Sequence, residues 1–221
     1  MADKRTALVA GATGLVGGHV VEKLLASPRY DEVIVVTRRK LALSDPKLRQ
    51  IVGPLDEMEA ALAGVTADDA FCALGTTIKV AGSQAAFRKV DHDYVVGFAR
   101  AAKMAGAARF LIVTAVGASA ASKIFYSRVK GETENDVAAM GFDALHIFRP
   151  GLLLGARGER RAAESMMMRI SPLLNPLMLG PASVYKSIDA SVVAAAMVAA
   201  AGGEVRGRQV HVYDGMVKLA G

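Results

Sequence analysis

A chain of 221 residues with 52% hydrophobic and 5% aromatic residues, and no Trp, has enough apolar mass for one α/β domain with a core of Val, Leu, Ile and Ala. Its one cysteine, Cys72, excludes an intrachain disulfide and a Cys-cluster metal site. The net charge of +6 is scattered, with small clusters at 37–40 and 156–161 and no aromatics between the cations; a nucleic-acid surface is not marked out, and an anionic small molecule explains the excess equally well.

The first strand is expected at 6–11, a short apolar run ending in glycine, and a helix at 15–27. The β-branched stretch 32–38 reads as a second strand and 49–53 as a short third. A helix follows at 55–64, closed by glycine. A fourth strand is expected at 69–75, where Cys72 would be buried, a long helix at 83–106 and a fifth strand at 108–118. A helix then begins in the stretch 123–136 and runs to about Met140, and a sixth strand lies at 142–151. This alternation predicts a doubly wound parallel sheet with helices on both faces, in a single domain over 1–221. The segment 152–186 breaks the rhythm with three prolines (Pro172, Pro176, Pro181) and Met166, Met167 and Met168. It is expected to be a small irregular or helical insertion on the substrate side. The methionines would suit either an adaptable apolar pocket or a core patch. The Ala-rich run 190–201 follows a helix-start pattern and is too short to span a membrane. With no apolar run behind the basic N-terminal residues, the expectation is a soluble, cytoplasmic protein. His19, His92, His146 and His211 have no metal-ligand spacing, so no metal is expected.

Gly11, Gly14 and Gly17 stand in G-x-x-G-x-x-G spacing between the first strand and the first helix. Glycines there permit a tight turn, close approach of a pyrophosphate and tight helix–sheet packing, while N–H groups at the helix start receive phosphate. Where an NAD-selective site carries a carboxylate at the end of the second strand, this chain has Arg38 and Arg39. Guanidinium groups match a 2′-phosphate, so NADP(H) is the expected cofactor. Tyr126 precedes Lys130 by four residues, which puts both on one helix face. A cation there favours the phenolate and would tune a tyrosine for proton transfer.

The ordered set "GATGLVG" (11–17), "TRRK" (37–40), "CALGTT" (72–77), "KVDHDYV" (89–95), "FLIVTAVGAS" (110–119), "YSRVKGETE" (126–134) and "FRPGLLLG" (148–155) resembles the atypical or extended branch of the short-chain dehydrogenase/reductase superfamily. Within that branch it is most similar to the Tat-interacting-protein-like group of NADP-binding oxidoreductases, over roughly residues 5–160. The resemblance implies that Gly11, Thr13, Gly14, Leu15, Val16 and Gly17 hold the pyrophosphate, and that Arg38 and Arg39 hold the 2′-phosphate. It implies Leu55 beside the adenine, Ala73, Leu74 and Gly75 along the nicotinamide ribose, and Pro150 with Leu152 over the nicotinamide. Tyr126 and Lys130 would be catalytic, with Lys130 also on the ribose and Thr114 orienting a substrate carbonyl. Two positions depart from the pattern. Pro54 stands where relatives often carry Asp, and Ala115 where they carry the second serine of a pair. The expected activity is NADP(H)-dependent hydride transfer on a small carbonyl or alcohol substrate. The alternatives are an NADP(H)-sensing or partner-binding regulator without turnover, for which Ala115 is the motive, and an epimerase- or dehydratase-like enzyme. The long helices at 83–106 and 122–140 could pair in a homodimer.

Overall fold

The protein is described here from a computed structural model, which describes residues 5–155 and 180–221. The expected pocket methionines, Met166 to Met168, and Pro172 and Pro176 lie outside the described residues.

The first half builds β1 (Arg5–Ala10), α1 (Leu15–Ala26), β2 (Tyr30–Thr37), β3 (Leu48–Val52), a 3-10 turn (Leu55–Glu57) leading into α2 (Met58–Ala61), and β4 (Asp69–Cys72). Then come α3 (Ile78–Ala81), α4 (Gln84–Arg88), a π turn (Lys89–Asp93), α5 (Tyr94–Met104), β5 (Arg109–Val113), α6 (Phe125–Ala138) and β6 (Ala144–Phe148). The remainder holds β7 (Leu153–Leu154), a 3-10 turn (Gly180–Tyr185), β8 (Ile188–Asp189), α7 (Ala190–Gly202), β9 (Gly207–His211) and α8 (Tyr213–Ala220).

Seven strands form one sheet in the order β3-β2-β1-β4-β5-β6-β9, parallel at every pairing. Winding runs outward in both directions from β1 and β4, as a Rossmann sheet requires. Side chains alternate between the two faces. Leu8 and Ala10 enter a core with Phe98, Ala99 and Val137 of α5 and α6. Ala7 and Val9 enter the opposite core with Val20, Leu24, Val193 and Met197 of α1 and α7. The expected long helix at 83–106 is continuous in course but takes one π turn in its middle.

A buried carboxylate ties the strands together at their N-terminal ends. Asp69, the first residue of β4, is fully buried. It accepts hydrogen bonds from Arg5 of β1 at 3.2 and 3.3 Å, from the Tyr30 hydroxyl of β2 at 2.7 Å and from Arg109 of β5 at 3.1 Å. Each donor is the first residue of its strand. The buried anion finds its partners in a single layer, as burial demands. Burial and the neighbouring Asp69 charge push the Tyr30 phenol well above its ordinary range.

The edge strand β9 was not among the expected strands. Its residues Gly207–His211 are half-exposed to exposed, so no apolar alternation announces it. On its inner side His211 accepts or donates one hydrogen bond with His146, Nε2 to Nδ1 at 3.0 Å, and stacks on Phe148 with 4.8 Å between ring centroids. Burial, then the neighbouring His211 and Arg109, push His146 down to about 4. The folded state therefore refuses a proton that the unfolded chain takes up below about 6.5. Stability is fully present above that value and is lost as pH falls toward about 4. We expect unfolding by urea to show a loss of up to about 3 kcal/mol between about pH 7.5 and about pH 4.5. The loss should be markedly smaller in His146→Gln. Equal losses in both proteins would remove His146 as the cause.

Candidate functional site

The glycine turn forms at the C-terminal end of β1. Gly11 has φ +89°, and a Cβ there would lie 2.4 Å from the Ala73 carbonyl carbon and 2.7 Å from the Leu74 nitrogen. At Gly17 a Cβ would lie 2.1 Å from the Gly11 carbonyl oxygen. Both positions exclude every side chain on packing grounds alone. Gly14 is different: its backbone is extended, φ −83° and ψ 170°, and its nearest obstacle is the Gly11 oxygen at 3.1 Å. The fold tolerates a small residue there with slight movement.

Gly14 caps α1. The helical ladder begins with the Gly18 N–H to the Gly14 carbonyl at 3.0 Å. The N–H groups of Leu15, Val16 and Gly17 thus lie in a first turn that no side chain caps and that holds no acidic residue. Thr13 is exposed in the turn, and Leu15 is half-buried against Gly155. Arg38 and Arg39 follow β2, both exposed, with no ion pair among the described residues. An open helix start and exposed guanidinium groups are each suited in charge to a phosphorylated ligand. These residues fit the dinucleotide the glycine spacing implies.

Ala73, Leu74 and Gly75 leave β4 as a loop rather than continuing the strand. The loop runs from the Gly11 contact to the catalytic candidates. A Cβ on Gly75 would stand 3.6 Å from Lys130 Nζ and 3.4 Å from Asp91 Oδ1. Lys130 is buried in α6, and its Nζ lies 2.7 Å from Asp91 Oδ1 in an ion pair. Burial opposes the Lys130 charge, yet the Asp91 carboxylate outweighs it and holds the ammonium above the usual lysine range. Tyr126, one turn earlier, is half-buried, its ring 5.4 Å from that of Phe87. Its hydroxyl makes no hydrogen bond among the described residues, so it remains available to a ligand. Pro150 is buried, with its carbonyl accepting the Val116 N–H at 2.9 Å, and Leu152 is 40% exposed.

Two expected positions are largely engaged within the protein itself. Leu55 is 9% exposed and belongs to the core beneath α5, so most of its surface is already spent there. Thr114 is also buried, and its hydroxyl donates to Glu134 Oε1 at 2.7 Å. A hydroxyl has one proton; committed to Glu134, it is not offered to a substrate carbonyl. Glu134, itself 1% exposed, also accepts from Arg149 Nε at 2.9 Å and Arg208 at 3.3 Å. An open cavity of about 350 Å³ lies on this flank of α6, lined by Ser119, Asn135, Arg149 and Arg208 rather than by Tyr126. Asp91 and Glu134 were not singled out from the sequence, although both sit inside quoted motifs. Glu134 follows Lys130 by four residues, the one available hint that it shares the helix's inward side.

Fold and site together define a Rossmann-type, NAD(P)-binding protein of the short-chain dehydrogenase/reductase superfamily. Residues 11–165 match the sequence model of a family described as NAD(P)H-binding. The mitochondrial protein fmp52 of Aspergillus clavatus is 36% identical over 195 residues, covering 85% of this chain and 83% of the relative. FMP52 of Candida albicans is 33% identical and covers 96% of each chain. Protein HTATIP2 of Rattus norvegicus is 35% identical, covering 73% of this chain and 68% of the relative. Among solved structures, the Bordetella bronchiseptica enzyme WbmH in complex with NAD+ aligns with a TM-score of 0.72 at 17% identity, covering 95% of this chain and 76% of that one. MoeE5 in complex with UDP-glucose and NAD aligns with a TM-score of 0.69 at 19% identity, covering 93% and 74%. The chain belongs to the NAD(P)H-binding family and, with Fmp52 and HTATIP2, to the atypical short-chain dehydrogenase/reductases.

One expectation is corrected here. The fungal relatives are named as mitochondrial proteins, which overturns the cytoplasmic placement. That placement rested on the lack of an apolar N-terminal run, a feature that distinguishes secretory signals and says nothing of mitochondrial import. Among the described residues no helix is long and apolar enough to cross a membrane.

The glycines make separable predictions. Gly11→Ala and Gly17→Ala should fail to give folded protein, because each Cβ meets backbone. Gly14→Ala should fold with near-parent thermal stability but bind NADPH at least tenfold more weakly in a fluorescence titration. Normal binding by folded Gly14→Ala would place the phosphate site elsewhere.

Proposed function

We propose that the chain is an NADP(H)-dependent oxidoreductase that transfers hydride between the nicotinamide and a carbonyl or alcohol. The observation that carries this reading is the Tyr126 hydroxyl, without a hydrogen bond among the described residues and one helical turn from the buried Lys130–Asp91 ion pair, beside the loop that runs from the Gly11 contact. The N–H groups of Leu15 to Gly17 would hold the pyrophosphate, with Thr13 at its edge. Arg38 and Arg39, exposed after β2 and without an ion pair among the described residues, would hold a 2′-phosphate and so prefer NADP to NAD. Ala73, Leu74 and Gly75 would line the ribose on the Lys130 side. Pro150 and Leu152 would close over the ring, and the edge of Leu55 would meet the adenine. A nicotinamide bound there supplies the hydride in reduction and takes it in oxidation.

The chain's own residues handle the proton. In reduction Tyr126 donates from Oη to the carbonyl oxygen as that oxygen gains negative charge. The Lys130 ammonium favours the phenolate left behind and can bond the ribose. Thr114 serves this scheme indirectly: its bond to Glu134 fixes α6 against the end of β5.

A second reading has its own support. Ala115 offers no hydroxyl after β5, and the Thr114 hydroxyl already donates its hydrogen bond to Glu134. A protein that binds NADP(H) as a sensor or partner-binding regulator, without turnover, needs neither group.

Absorbance of NADPH against a panel of aldehydes, ketones and quinones separates the two. A reductase should lose about 10²–10⁴ in turnover in Tyr126→Phe while keeping its cofactor affinity. Robust parent activity untouched by that substitution would refute the proton-donor role. Replacing Arg38 and Arg39 by Ala should weaken NADPH by about 1.5–3 kcal/mol for each charge-assisted bond lost and leave NADH nearly unchanged. Equal weakening of both would refute the NADP preference.

A further inference from the structure

Lys130 has a counter-ion that the catalytic reading does not use. We propose that Asp91 is a positioning residue that keeps the Lys130 ammonium charged in its buried seat, and thereby sets the pH at which the Tyr126–Lys130 couple gives up its first proton. The placement of the pair stands by itself; its consequence for turnover rests on the oxidoreductase reading.

Asp91 is held from three directions. Its Oδ1 faces Lys130 Nζ at 2.7 Å. Its Oδ2 accepts the Thr76 N–H at 2.8 Å, and its backbone carbonyl accepts the Thr133 hydroxyl at 2.9 Å. Thr133 lies on α6, three residues beyond Lys130, so a second bond ties α6 to the π turn beside the ion pair. Asp91 also occupies the centre of the π turn Lys89–Asp93. A π turn adds a residue to the helical circuit and so re-aims the side chains around it, which is why such turns gather at functional positions.

Both charges are shut off from water, with side chains 6% exposed at Lys130 and 0% at Asp91. A buried ion pair seldom stabilises a fold more than apolar packing of the same volume, so stability alone gives no account of it. A need for charge at Nζ does. Without Asp91, burial would drive Lys130 toward the neutral amine. The ionisable groups facing Lys130 among the described residues are Asp91 from the π turn, Tyr126 from α6 and Cys72 from β4. Burial pushes the Cys72 thiol up to about 12, so it stays neutral. Tyr126 and Lys130 interact, and their protons leave in steps that belong to the couple. Removing the nearby negative charge lowers the first of those steps, whichever of the two groups releases the proton.

The test follows the Lys130 Cε signal by NMR in protein labelled with 13C-lysine, identified by its absence in Lys130→Arg. Asp91→Asn keeps the shape and the acceptor for Thr76 but removes the charge. The proton affinity of Lys130 should fall at least tenfold, about one pH unit, and Asp91→Glu should restore most of it. With NADPH and a carbonyl substrate, the alkaline limb of kcat should move down in Asp91→Asn by a similar factor. A change of less than about twofold in Lys130 proton affinity would overturn the proposal, since a merely structural Asp91 leaves that titration in place. The titration needs no turnover, so an inactive parent would count against the oxidoreductase reading and leave this result standing. If Asp91→Asn does not fold, the double variant Asp91→Asn with Lys130→Met decides. Recovery of folding identifies the unpaired ammonium as the fault, and continued failure overturns the pairing.

Discussion

The site depends on one close approach of two backbones. Gly11, at the end of β1, lies against the Ala73–Leu74 peptide at the end of β4 with no room for a Cβ. These two strands are neighbours in the sheet but not in sequence. They mark the place where the winding reverses, and a doubly wound sheet opens its crevice there, at the carboxyl ends of the strands. The contact sets where α1 begins, because Gly17 packs on the Gly11 carbonyl. It also sets where the β4 loop goes, because Ala73 is pinned beneath the turn. Two residues later Gly75 passes the Lys130–Asp91 pair. The glycine turn and the helix that carries Tyr126 and Lys130 are thus joined by a short run of main chain.

The two ends of the sheet are built on opposite principles. At the N-terminal end the Asp69 carboxylate is buried and saturated by donors from β1, β2 and β5. At the carboxyl end the first turn of α1, the Arg38 and Arg39 guanidinium groups and the Tyr126 hydroxyl have no side-chain partner among the described residues. Polar groups spent on one another hold strands in register; polar groups left unspent are available to a ligand. The sheet can leave its open end incompletely satisfied because the closed end fixes four strands.

The sequence was most informative where chemistry and local geometry coincide. Gly11 to Gly17 are adjacent, and their spacing carries the turn directly. Tyr126 and Lys130 are one turn apart on one helix, so their shared face follows from helical periodicity. Strands β1, β2 and β6 are buried on both faces and read as apolar runs. What could not be read is what depends on distance across the chain. Asp91 meets Lys130 across 39 positions and only because a π turn interrupts a stretch that reads as one helix. Asp69 opens an otherwise apolar stretch, and its partners Arg5, Tyr30 and Arg109 are scattered through the sequence. The expected strands at 69–75 and 108–118 ran past Cys72 and Val113 because their apolar composition continues into the site loops. There the backbone turns away to make the crevice, and hydropathy carries no sign of that change.

Thr114 shows how far a residue's type falls short of its role. It stands after β5 at a position where a hydroxyl is expected, yet the hydroxyl faces Glu134 and not the crevice. Glu134 is buried with two arginines and a threonine around it. Its charge is balanced by Arg149, immediately after β6, and Arg208 at the start of β9. This cluster ties the C-terminal half of α6 to the end of the sheet, while Lys130 and Asp91 tie its N-terminal half to the π turn. The helix that carries Tyr126 is therefore anchored by ionic contacts on both flanks, with the tyrosine one turn ahead of the first anchor. A tyrosine so placed has little freedom to swing toward a ligand. On the proposed oxidoreductase reading, a substrate carbonyl would therefore be brought to Tyr126 rather than Tyr126 to it.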